Sequence, residues 1–144
     1  MSQGWTGRLT CTAPSRMDLD LDMARDLSAP AQARKAITGL RGRVDGDVLS
    51  DTVLLVSELV SNSVKYGEGD IRLRVRTRGP RQILVEVVDD GGGFSPAVRR
   101  PSRFHAGGFG LHLVDELASS WGVHAGTAHV WFEIDRSADL AAVA

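Results

Sequence analysis

The stretch Glu58-Leu59-Val60-Ser61-Asn62 lies inside a longer run, Val48 to Tyr66, whose apolar positions recur at helical spacing and which Gly67 closes with a C-terminal stop. This predicts one long helix. A four-residue separation puts Glu58 and Asn62 on the same helix face, about one turn apart, so both side chains can enter one pocket. On an isolated helix such a pair is most simply a solvated polar stripe. Here the pair interrupts a strongly apolar run and two glycine-rich stretches follow it, which favours the pocket.

Upstream of this helix, Leu19, Leu21 and Met23 alternate with Asp18, Asp20 and Asp22, the period of a half-buried strand with an exposed edge. Ser28 and Pro30 suit a helix start, Ala31 to Leu40 continue it, and Gly39 and Gly42 weaken its far end. A Gly46/Asp47 turn leads into the long helix. Downstream, Ile71, Leu73 and Val75 alternate with Arg72, Arg74 and Arg76, and a Gly79-Pro80 turn precedes Ile83 to Val88. That pattern predicts a β-hairpin with one buried face. Residues 91 to 110 read as a long irregular loop, Leu111 to Ser120 as a helix, and Trp121 to Val123 as the start of a return. His129 to Ile134 alternate as a last strand. The order β-α-α-β-β-loop-α-β-β predicts an α/β fold, a two-layer sandwich with a mixed β-sheet and helices on one face. Residues 1–17 read as a flexible leader, 18–136 as the domain and 137–144 as a frayed tail.

Composition narrows the function classes. At 144 residues the chain fits one domain with one core, and 42% hydrophobic with 24% charged residues argues against wholesale disorder. A formal net charge of -1 gives no basic excess for direct nucleic-acid binding. Cys11 is the single cysteine, so neither an intrachain disulfide nor a zinc site of thiolates can form. No apolar run reaches membrane-spanning length and the first residues lack the order of a signal peptide, so a cytoplasmic protein without membrane contact is expected. His105, His112, His124 and His129 show no metal-site spacing and read as surface or ordinary polar positions. Arg72, Arg74, Arg76, Arg78 and Arg81 read as an exposed sheet face or edge, Trp121 and Trp131 as core or interface residues.

Two further stretches carry chemistry. Asp89 ends an apolar strand and precedes Gly91 and Gly93, an Asp-x-Gly-x-Gly arrangement that lets backbone bend and approach a ligand closely. Its bland counterpart is an ordinary hairpin turn. Gly108-x-Gly110-Leu111, extended by Gly107, immediately precedes a helix, where free N–H groups and the helix dipole make an anion cradle. A dinucleotide fingerprint would need a preceding strand and wider glycine spacing, so a triphosphate is the better ligand.

In this order and at these separations the three stretches resemble the ATP site of the GHKL superfamily, which comprises gyrase, Hsp90, histidine-kinase and MutL ATPase domains. Within it they are most similar to the anti-sigma serine/threonine kinases of bacterial partner-switching systems. The resemblance spans roughly residues 18 to 136 and implies the GHKL (Bergerat) sandwich. It implies ATP and Mg2+ as cofactors, with Asn62 binding magnesium and Glu58 acting as general base on the attacking hydroxyl. Asp89, or Asp90 if the register slips by one, would accept a hydrogen bond from the adenine amino group. Gly91 and Gly93 would shape the adenine pocket, Gly107, Gly108, Gly110 and Leu111 would hold phosphates, and residues 95 to 106 would form a lid. The implied partners are a sigma factor and a small anti-sigma antagonist protein of the STAS type, with a homodimer.

Two departures from the family pattern stand out. Phe109 occupies a position that is basic in many members, leaving Arg100 or Arg103 to meet phosphate charge. His129 replaces a hydroxyl residue before the last strand, and Thr127, two residues earlier, is its substitute. They motivate an alternative from another class: a non-catalytic regulator that docks on a protein partner with or without nucleotide.

Overall fold

The computed structural model describes residues 16–91, 106–124 and 128–138, and within them the side chains of all residues except 16 and 106–110. The elements are β1 (Arg16–Met23), α1 (Ala29–Thr38), α2 (Gly46–Tyr66), β2 (Ile71–Thr77), β3 (Gln82–Val88), α3 (Ala106–Leu117), β4 (Ser120–Val123) and β5 (His129–Asp135). This is the element order that the sequence predicts. Strand β1 begins at Arg16, inside the segment read as leader, and α2 takes in Gly46 and Asp47, read as a turn. Among the described residues no helix is long and apolar enough to cross a membrane.

Five strands form one sheet in the order β1-β2-β3-β5-β4. Every neighbouring pair is antiparallel, whereas the sequence suggested a mixed sheet. The reason lies in the crossover. The chain leaves β3, passes through α3 and enters β4 running in the same direction, but β5 inserts between them, so the two parallel strands are never neighbours.

Strand alternation sorts the side chains. Ile71, Leu73 and Val75 of β2, Ile83, Val85 and Val87 of β3, and Val130, Phe132 and Ile134 of β5 face the helices and form one core with them. Helix α1 contributes Ala29, Ala33 and Ile37, four residues apart on a single face. Helix α2 contributes Val48, Leu55, Val56, Leu59 and Val60 and packs against the sheet with α1 and α3 as its helical neighbours. Thr52 is buried there without cost, because its hydroxyl donates to the Val48 carbonyl at 2.7 Å.

Arg81 corrects the picture of a plainly exposed arginine row. Its side chain is 14% exposed and donates to Asp45 at 3.2 Å and Asp47 at 2.8 Å, tying the start of β3 to the start of α2. Arg72 meets Asp20 and Asp22 across the β1–β2 pairing, while Asp18 is taken by Arg43 and Arg74 turns to Glu86.

His129 is likewise no surface residue. On the sheet face opposite the helices it pairs with Glu86, whose side chain is 2% exposed and lies 3.6 Å from Arg74, and its ring sits 4.5 Å from that of His124. Burial raises the Glu86 pKa, but the hydrogen bond and charge of His129, with Arg74, outweigh it and hold the carboxyl below its ordinary value. A carboxyl with a depressed folded pKa stabilises the fold above its unfolded pKa and loses that contribution as pH falls through the folded value. Unfolding free energy is therefore expected to drop as acidification passes below the ordinary glutamate value of 4.5 and through the lower folded one, and Glu86→Gln to flatten that acid limb while lowering stability near neutrality. Urea unfolding of both proteins across that range checks this; parallel acid limbs would refute it.

Candidate nucleotide site

The C-terminal turns of α2, the end of β3 and the start of β5 enclose a cleft of about 490 Å3, part of it continuous with solvent. Leu59, Val87, Ala128 and Val130 supply apolar walls, Asn62, Ser63 and Asp89 supply polar groups, and Tyr66 stands at the rim, half-exposed. Few polar groups on an apolar lining is the usual composition of a small-molecule site.

Two backbone bonds fix the end of β3. The Asp89 N–H donates to the Ala128 carbonyl at 3.1 Å, and the Asp90 N–H donates to the Glu68 carbonyl at 2.8 Å. Asp89 thereby turns its carboxylate into the cleft, while Asp90 is exposed, its carboxylate lying over Gly69. Of the two registers that the sequence left open, Asp89 is the residue that lines the cleft.

The Asp89 carboxylate is surrounded by donors. Ser63 Oγ donates to Oδ2, the Gly91 N–H donates to Oδ1 at 2.7 Å, and the Glu68 N–H approaches Oδ1 at 3.4 Å. Backbone presses in closely as well. A Cβ on Gly67 would stand 2.2 Å from Asp89 Oδ2 and 2.6 Å from the Ser63 carbonyl, and one on Gly91 would stand 2.9 Å from Oδ1. Only glycine leaves room for the carboxylate at these two places.

Asn62 lines the cleft and is 9% exposed, one turn beyond Glu58 on α2. Glu58 is half-buried on the same helix face and outside the cleft lining. Leu111 is 3% exposed and packs in the hydrophobic core, again outside the lining. Gly107, Gly108 and Gly110 were expected to precede a helix; they lie within α3, which starts at Ala106. Burial of Leu111 and Val114 anchors this helix, and glycine costs only about 1 kcal/mol per helical position relative to alanine, so the helix extends back through the glycines. Its first turn still presents N–H groups with no intrahelical partner, the donors that an anion would use. Gly93, Thr127, His105, Arg100, Arg103 and the lid as far as residue 105 lie outside the described residues, and the last lid residue, Ala106, begins α3.

Ser63, Tyr66, Gly67 and Ala128 were not singled out in the sequence as site residues. Tyr66 continues the four-residue series of Glu58 and Asn62, so helical periodicity could have found it. Gly67 read only as a helix stop, which it is, its N–H donating to the Ser63 carbonyl at 2.8 Å. Its approach to Asp89 depends on tertiary folding.

The cleft can take a flat apolar group that offers a hydrogen-bond donor to Asp89. Among the described residues no group of three His, Cys, Asp or Glu side chains could hold a metal ion. A cation here would rely on Asn62 oxygen together with oxygens of its ligand, a donor set that suits magnesium. The family profile described as histidine kinase-like ATPase domain matches residues 23–134, from the end of β1 to the end of β5. The chain belongs to this family, and its sandwich is of the GHKL type.

Proposed function

We propose that the protein is an ATP-binding regulatory factor, with adenine on Asp89 and the phosphates towards the first turn of α3. The single observation that carries the reading is the Asp89 carboxylate, set in the cleft with donors on Oδ1 and Oδ2 and with glycines where any side chain would collide. Family membership supports ATP as the ligand. Asn62 would hold Mg2+ through its amide oxygen, the other positions being filled by phosphate and water.

The finer reading is an anti-sigma factor with serine/threonine kinase activity towards a STAS-type antagonist. It is supported by the likeness of the three stretches to that kinase group, as are the sigma-factor partner and the homodimer. Bound ATP supplies the phosphoryl group. Glu58 accepts the proton of the substrate hydroxyl as its oxygen bonds to the γ-phosphorus and the bond to the bridging oxygen of departing ADP breaks.

A docking-only regulator is the second reading. His129, where a hydroxyl residue is expected, points to the opposite sheet face and pairs with Glu86, so it contributes nothing to the cleft. Incubation with γ-labelled MgATP and an antagonist protein separates the two. Label on a serine or threonine of the antagonist is the expected result; sigma-factor binding with no label would favour docking alone.

A further inference from the structure

We propose that Ser63 sets the base selectivity of the cleft: by donating its hydroxyl to Asp89 Oδ2 it holds the carboxylate as an acceptor for 6-amino purines and against 6-oxo purines. This rests on the adenine-nucleotide reading above. A serine within a helix ordinarily turns its hydroxyl back to a carbonyl of its own preceding turn. Ser63, 7% exposed near the end of α2, instead donates across to Asp89 at the end of β3.

The consequence follows from counting acceptor sites. An ionised carboxylate offers about four lone-pair directions and no proton. Gly91 and Glu68 N–H groups take those of Oδ1, and Ser63 takes one of Oδ2. One acceptor site on Oδ2 is left for a ligand. An exocyclic amino group satisfies it, whereas a 6-oxo group sets acceptor against acceptor, and such a mismatch costs on the order of tenfold to a hundredfold in affinity. Ser63 on Oδ2 and the Gly91 and Glu68 N–H groups on Oδ1 hold the carboxylate from both ends, in space that Gly67 and Gly91 leave free of side chain. Ser63 is thus a positioning residue that acts through Asp89.

Ser63→Ala removes the donor without disfavouring the helix. The freed Oδ2 can then turn from a 6-oxo group, and the adenine contact loses its fixed direction. The test is calorimetric titration of the full chain, with magnesium, using non-hydrolysable adenosine and inosine triphosphate analogues. Four proteins are compared: wild type, Ser63→Ala, Asp89→Asn and the double variant. The wild type is expected to prefer the adenosine analogue by about tenfold, and Ser63→Ala to weaken adenosine binding by about threefold with inosine binding no weaker, narrowing the preference to about threefold or less. In the Asp89→Asn background, where the Ser63 hydroxyl meets an amide NH2 and no carboxylate oxygen, Ser63→Ala should no longer shift the preference between the two bases, the signature of a residue acting through another. Thermal melting of Ser63→Ala close to wild type shows that the fold is kept. A variant that retains the wild-type preference, when Asp89→Asn has lost it, overturns the role of Ser63 and leaves the adenine pocket standing. A wild type that binds neither analogue overturns both.

Discussion

If the protein is the kinase proposed above, Glu58→Ala is expected to lower phosphoryl transfer to an antagonist protein by about 10²- to 10⁴-fold while leaving nucleotide affinity within about twofold of wild type. The split follows from where Glu58 stands. It shares a helix face with Asn62 but lies one turn away and outside the cleft lining, so its removal takes nothing from the adenine contacts. A general base acts only on the proton of the attacking hydroxyl, and its loss appears in the rate and not in binding. Single-turnover transfer with labelled ATP, paired with calorimetric titration, gives both quantities. Equal transfer rates for the two proteins would remove Glu58 from the chemistry.

Asp89→Asn is expected to weaken binding of an ATP analogue by about tenfold to more than a hundredfold, the effect of a mismatched buried hydrogen bond worth about 1–3 kcal/mol. The amide must turn one end towards the N–H groups of Gly91 and Glu68, and its oxygen is the end that fits. The NH2 group then faces Ser63 and the ligand. Ser63 can rotate its hydroxyl to accept, but an adenine amino group meets a second donor and gains nothing. A 6-oxo purine would fare better against the same amide, so the preference between bases should vanish or reverse. Titration with adenosine and inosine analogues measures this; unaltered adenosine affinity would remove Asp89 from base recognition.

The fold was legible wherever burial follows sequence period. Alternation in Ile71, Leu73 and Val75 and the helical spacing of Val48 to Tyr66 correspond to β2 and α2, because each element buries one face against the same core. The sheet's antiparallel character was not legible, since insertion of β5 between β3 and β4 is a property of strand order and not of any strand's own pattern. The start of α3 was misplaced for a related reason. Glycines read locally as loop, while the anchoring of Leu111 and Val114 in the core is tertiary.

Of the residues that line the cleft, Asn62 was singled out because it interrupts an apolar run, and Asp89 because glycines follow it at the end of an apolar strand. Ser63 and Gly67 were not, since their roles exist only where α2 meets the end of β3. His129 shows the same limit from the other side. It stands where the family pattern has a hydroxyl residue, but strand alternation sends it to the far face with Glu86, while its neighbours Ala128 and Val130 line the cleft.

The most direct measurement is calorimetric titration of the purified 144-residue chain with a non-hydrolysable ATP analogue, with and without magnesium. Saturable binding that strengthens with magnesium and fails in Asp89→Asn is the expected result. Absence of binding up to millimolar nucleotide would mean that the cleft beside Asp89 is no adenine site, and would contradict the proposed function.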